Sequence, residues 1–106
     1  MDWEISAAEL RQKLEAGDKI NLLDVRELWE RRVASIEPSV FIPMGDVPTR
    51  VQELDPEEHI IVYCHHGVRS MNVTAWLRQQ GFEFVQSLRG GIDQWSRQID
   101  PKVPLY

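Results

Sequence analysis

The chain has little cysteine to work with: one residue, Cys64, in 106. A single thiol closes no internal disulfide, which excludes a disulfide-stapled secreted domain. Excess positive charge is also missing, since the formal net charge is −5. Nucleic-acid binders and proteins of acidic membrane surfaces need a basic face, so neither kind of partner is expected. No apolar run approaches the length needed to span a bilayer. The start, Met1-Asp2-Trp3-Glu4, has neither the basic stretch nor the apolar run of a secretory signal, and a cytoplasmic location is the expectation. Glycine and proline number six each, too few and too scattered for a linker or a low-complexity segment. What remains is an ordinary globular composition, 42% hydrophobic and 27% charged, of a length that suits one domain over residues 1–106. Without an obvious exposed apolar stripe, a monomer is expected.

Short apolar runs alternate with helix-like segments. Ser6 and Glu9 form a capping-box pattern ahead of a stripe of Ala7, Leu10 and Leu14, and Gly17 offers a stop. Ile20 to Val25 reads as a strand, Glu27 to Val33 as a short helix, and Val40 to Ile42 as a brief strand ended by Pro43. Asp46 is placed to cap a helix whose Val47, Val51 and Leu54 share a face, with Pro48 tolerated in the first turn. Ile60-Ile61-Val62-Tyr63 is apolar without alternation, the pattern of a strand buried on both faces. A helix is expected from about Ser70 to Gln80, a strand over Phe84 to Leu88, and a last helix over Ile92 to Arg97. Strand and helix in this repeated order predict an α/β domain with a mainly parallel sheet. Such sheets bind ligands beyond the carboxyl ends of their strands, so the loop after Tyr63 is where chemistry is expected.

That loop reads Cys64-His65-His66-Gly67-Val68-Arg69-Ser70. A lone cysteine after an apolar strand is by default a packed core residue. Its neighbours change the reading. Cysteine attacks as the thiolate, which a helix N-terminus or an adjacent cation favours. The following helix points free amides into the loop. Arg69 is a permanent cation, no acid intervenes, and Gly67 allows the backbone to curl its N–H groups inward as an anion-binding nest. These features predict an ionised, accessible Cys64.

Read as C-x-x-G-x-R-S after an apolar strand, the loop resembles the active-site loop of rhodanese-homology domains. The resemblance extends over nearly the full length. It takes in Leu22-Leu23-Asp24-Val25-Arg26-Glu27, Ile42-Pro43-Met44, Leu88-Arg89-Gly90-Gly91-Ile92 with Trp95, and the Asp100-Pro101, Val103-Pro104 and Tyr106 pattern. One segment departs: Ala34 to Val40 lacks the His and Gly that the family often shows there. The resemblance implies a three-layer rhodanese-like α/β fold with a parallel sheet flanked by helices. It also implies a thiosulfate sulfurtransferase-like enzyme needing no metal or organic cofactor. Cys64 would take sulfur from a small-molecule donor such as thiosulfate, hold it as a persulfide, and pass it to cyanide, a thiol or a protein acceptor. His65, His66, Gly67, Val68 and Arg69 would form the substrate-binding loop, with Ser70, Asp24 and Arg26 supporting it.

Two other classes compete. A cysteine phosphatase or arsenate reductase closes a larger loop, with five residues between Cys and Arg, whereas four stand here, His65 to Val68. A shorter ring suits one sulfur atom better than a tetrahedral oxyanion. A non-catalytic interaction module would not require the cysteine and loop that this chain retains. A metal site built from His59, Cys64, His65 and His66 is disfavoured, because adjacent histidines on a tight loop are expected to point apart and no second zinc-like ligand pair is present. Asp24 and Arg26 are expected to pair with each other at the end of their strand. Trp29, Trp76 and Trp95 are read as core or rim packing, and Arg89 as a solvated surface arginine.

Overall fold

The computed structural model describes residues 1–106. Five strands form one sheet: β1 (Glu4–Ile5), β2 (Ile20–Asp24), β3 (Val40–Phe41), β4 (His59–Tyr63) and β5 (Val85–Leu88). Their spatial order is β1-β5-β4-β2-β3, and every neighbouring pair is parallel. The helices are α1 (Ala7–Glu15), α2 (Leu28–Val33), α3 (Val47–Arg50), α4 (Val68–Gln79) and α5 (Gly91–Gln98). No helix is long and apolar enough to cross a membrane.

Strand alternation divides the core into two halves. On one face Leu22, Ile61, Tyr63 and Leu88 pack against Ala7 and Leu10 of α1 and Ile92 and Trp95 of α5. On the other, Leu23, Ile60, Val62 and Val85 pack against Val47 of α3 and Val73 and Leu77 of α4. Strand β4, central and covered on both faces, has Ile60 through Tyr63 fully buried, which is why its sequence shows no alternation. The capping box at Ser6 and Glu9 is formed in both directions, at 3.1 Å each way.

The structure departs from the sequence reading in several places. Strand β1 has only two residues and no sequence signal; it exists because Ser87 N–H and Arg89 N–H donate to the carbonyls of Trp3 and Ile5. The helix expected after Asp46 is broken: a 3-10 turn at Met44–Asp46, the short α3, and a second 3-10 turn at Val51–Glu53. Gly45, two valines and Pro48 within nine residues support tight turns better than a continuous α-helix. Asp46 makes no side-chain cap there. Helix α4 starts at Val68 rather than Ser70, and Phe84 lies outside β5 and is exposed. Trp95 is buried, whereas Trp29 is 61% exposed and sits at the rim, its ring perpendicular to that of Tyr106 at 5.9 Å.

Candidate active site

Four residues, Cys64 to Gly67, carry the chain from the end of β4 to the first turn of α4. Gly67 is the N-cap, at φ +111°, a conformation closed to most side chains. Because α4 begins at Val68, the amide of Ser70 is one of the orphan donors of its first turn. It points at Cys64 Sγ from 3.3 Å, and the Gly67 N–H donates to the same sulfur at 3.1 Å. A third partner, Ser70 Oγ, lies 3.4 Å from Sγ. Behind it Ser87 Oγ of β5 closes a buried hydroxyl pair at 2.7 Å, in which either group can donate. Two aimed amides and the positive end of a twelve-residue helix favour negative charge at this spot.

The thiol is not the accessible one that the sequence suggests. Cys64 is 1% exposed and belongs to the apolar cluster beneath α4. The physical reason is the same curl that aims the amides: it places the sulfur at the floor of the loop. Beside the loop lies a shallow depression whose lining includes the facing pair Glu4 and Arg89 and the polar Asn72 as well as His66, Val68 and Met71.

The second wall of the site is the start of α5. Its free amides hold the loop's own carbonyls, with Ile92 N–H donating to Cys64 O at 2.9 Å and Asp93 N–H to His65 O at 3.1 Å. Gly91 makes this approach possible. A Cβ there would lie 2.4 Å from His65 O and 2.5 Å from Cys64 O. The glycine pair is therefore a docking surface for the loop.

Arg69 turns away from the sulfur and toward α2. Its guanidinium grips the nearly buried Glu30 carboxylate with two hydrogen bonds, at 2.7 and 2.9 Å. Those bonds hold the Glu30 carboxyl down at about 2. The Tyr106 hydroxyl, which burial pushes up to about 12, donates to Glu30 at 2.7 Å and accepts from Arg26 at 2.9 Å. Arg26 in turn pairs with Asp24 through Nε at 2.9 Å and Nη2 at 2.8 Å, both side chains fully buried. Asp24 and Arg26 thus lie in a buried polar layer beside the loop, and no contact joins either to Sγ. The departing segment closes this layer. Ala34 O accepts from Arg26 at 2.7 Å, and Ile36 N–H donates to the Tyr63 hydroxyl, which itself donates to Asp24 at 3.1 Å. The Glu37–Pro38 peptide within it is cis.

His65 and His66 do not point apart. Their rings stack with centroids 3.9 Å apart, and the far face of His65 stacks on Tyr106 at 3.9 Å and 8°. Burial, then the neighbouring His66, lowers the His65 pKa and favours the neutral ring. Donor atoms of His65, His66 and Asp93 lie within 4.8 Å of one another. Stacked imidazoles aim their lone pairs in near-parallel planes, so one ion would be shared only after His66 left the stack. His59, at the opposite end of β4, bonds Gln86 at 2.8 Å and plays no part here.

Sequence reasoning missed Glu30, Tyr106, Ser87 and the role of Gly91. Glu30 carried a usable signal, an acid in the short helix that follows a strand ending on the loop's edge of the sheet. Ser87 and Tyr106, 17 and 80 positions from Ser70 and Arg26, are found only by folding the chain.

Comparison with known proteins agrees with this geometry. Residues 6–98 match the model of the Rhodanese-like domain. YtwF of Bacillus subtilis, which carries a sulfurtransferase name, is 40% identical over 99 residues, covering 93% of this chain and 95% of that protein. A protein named sulfurtransferase from Allochromatium vinosum is 35% identical over 100 residues, covering 94% of each. The crystal structure of a rhodanese-like domain protein from Staphylococcus aureus superposes with a TM-score of 0.86 at 26% identity, covering 99% of both chains. With its motif loop, its parallel sheet and these full-length relatives in agreement, the chain belongs to the rhodanese-like domain family.

Proposed function

We propose that this protein is a sulfurtransferase in which Cys64 is the nucleophile and carries the sulfur as a persulfide. The observation that carries the reading is the pair of main-chain amides, Gly67 and Ser70, converging on Sγ at 3.1 and 3.3 Å. In the first displacement the Cys64 thiolate attacks the terminal sulfur of a sulfane-sulfur donor, the class that includes thiosulfate. The donor's sulfur–sulfur bond breaks, and its remainder, sulfite in that case, departs with the bonding pair. Negative charge moves from Sγ to the outer sulfur of the persulfide. The amides of Val68 and Arg69, which have no intrahelical partners in the first turn of α4, suit that outer atom. In the second displacement a thiol, cyanide or protein nucleophile takes the outer sulfur, and the thiolate is restored. Every group needed lies in the loop, and no metal or organic cofactor enters either step.

Intact-mass analysis after incubation with thiosulfate tests the proposal. The expected result is a gain of one sulfur atom on the parent chain and none on Cys64→Ala, with the variant still folded by circular dichroism. Sulfur transfer at parental rates by Cys64→Ala overturns it. So does phosphate release from an aryl phosphate without any sulfur adduct, which is the phosphatase outcome.

A further inference from the structure

On a tight loop, neighbouring histidines are expected to point apart, and these two do not. His65 and His66 lie ring against ring, with centroids 3.9 Å apart and planes at 29°. Asp93, in the first turn of α5, joins them. One ligand atom from each of the three residues lies within 4.8 Å of the other two.

Two separate elements supply these ligands, and the backbone fixes their spacing. Asp93 N–H donates to His65 O at 3.1 Å and Ile92 N–H to Cys64 O at 2.9 Å, which locks the loop to α5 at this point. The Asp93 carboxylate uses Oδ2 for Arg97 Nε, at 3.0 Å in an exposed i,i+4 pair, and Oδ1 is left for another partner. His65 is held in place by Tyr106, stacked on its other face at 3.9 Å. Its Nε2 is buried without a hydrogen-bond partner, a condition that in folded proteins calls for a cause such as an ion or a water. His66 is exposed, so side-chain rotation alone takes its ring off the stack and toward a shared ion. That rotation closes the 4.8 Å separations toward the spacing of about 3.3 Å set by tetrahedral bonds of about 2.0–2.1 Å.

Donor chemistry selects the ion. Two imidazole nitrogens and one carboxylate suit zinc and its transition-metal neighbours, whereas magnesium and calcium prefer shells of oxygen. Three protein ligands leave a fourth position open to solvent. Cys64 takes no part, because its sulfur is buried beneath the loop and bonded to the Gly67 and Ser70 amides. We infer that His65, His66 and Asp93 form a binding site for a divalent transition-metal ion of the zinc class. The site is separate from the persulfide chemistry proposed above and stands without it. A bound ion links the loop to α5 beside the two backbone bonds, and so stabilises the folded chain.

The test titrates the untagged chain with zinc chloride by isothermal calorimetry and follows thermal unfolding in parallel. One zinc per chain is expected, with a Tm that rises as zinc is added. His66→Ala and Asp93→Asn lie outside the core, and each is expected to stay folded by circular dichroism and to weaken binding about tenfold or more. Cys64→Ala is expected to bind zinc as the parent does. So is His59→Ala, whose imidazole lies at the opposite end of β4. Magnesium chloride is expected to give no saturable heat. Absence of stoichiometric zinc binding overturns the inference, as does equal affinity for magnesium. Parental affinity in either His66→Ala or Asp93→Asn overturns it too. So does loss of binding in Cys64→Ala or His59→Ala, which would put the ion on the thiol or at the far end of the strand.

Discussion

Replacing Gly91 by alanine separates two effects that a glycine can have. Gly81 and Gly91 both hold positive φ, +97° and +59°. A Cβ at Gly81 meets nothing within 4 Å, so Gly81→Ala carries only the backbone penalty, about 1–2 kcal/mol. At Gly91 the new carbon would sit 2.4 and 2.5 Å from two carbonyl oxygens of the loop's backbone. Relief requires helix α5 to withdraw by about 1 Å, given ordinary van der Waals separations. That withdrawal stretches the bonds from Ile92 N–H to Cys64 O and from Asp93 N–H to His65 O, now 2.9 and 3.1 Å. Each contributes about 1 kcal/mol. Gly91→Ala should therefore lose about 3–4 kcal/mol, and Gly81→Ala about 1–2. Urea unfolding at equilibrium reads both, and the slope shows whether the unfolded reference has changed. Sulfur loading of Cys64 should fall in Gly91→Ala alone. Equal stability losses, with loading intact in both, would refute the claim that the α5 terminus holds the loop.

Other consequences follow from the polar layer. The Glu30 carboxyl is held at about 2 in the folded chain, against 4.5 when unperturbed, so the unfolded state binds a proton first as pH falls. Its stabilisation is present above pH 4.5 and is lost toward pH 2, and Glu30→Gln should flatten that part of the acid unfolding curve; an unchanged acid limb counts against the Arg69–Glu30 bond. Tyr106→Phe removes the hydroxyl that joins Glu30 to Arg26 while keeping the ring stacked on His65, and a stability loss of about 1–3 kcal/mol is expected in thermal unfolding. Parental stability would show that the hydroxyl does not bridge them. Ser87→Ala takes away the partner that orients Ser70 Oγ against the sulfur, and iodoacetamide should alkylate Cys64 about threefold more slowly at neutral pH. Unchanged alkylation would mean that Ser87 only fills space.

The sheet was legible because parallel strands buried on both faces read as solid apolar runs, Ile60 to Tyr63 above all. The loop was legible because Gly67 and the helix start stand close to the cysteine in sequence. Local signals ended there. Strand β1 is made by bonds to β5, more than eighty residues away, and nothing in Glu4 and Ile5 announces it. The sequence shows that Arg69 is charged but not which way it points; Glu30, thirty-nine residues earlier, settles that through the fold. Trp29, readable by type as core or rim, takes the rim beside Tyr106, because α2 offers Glu30 to the site and leaves its bulky neighbour outside.

The sheet's margins bear on how copies of this chain can meet. Strands β1 and β3, the two outermost, are two residues long, while β4 is laddered on both flanks by β2 and β5. A stranger seeking to zip onto either rim finds almost no row of open backbone groups, which is how sheets resist ribbon growth. With strand addition closed off at both rims, the strand that leads into Cys64 stays laddered on both flanks whatever approaches the loop end.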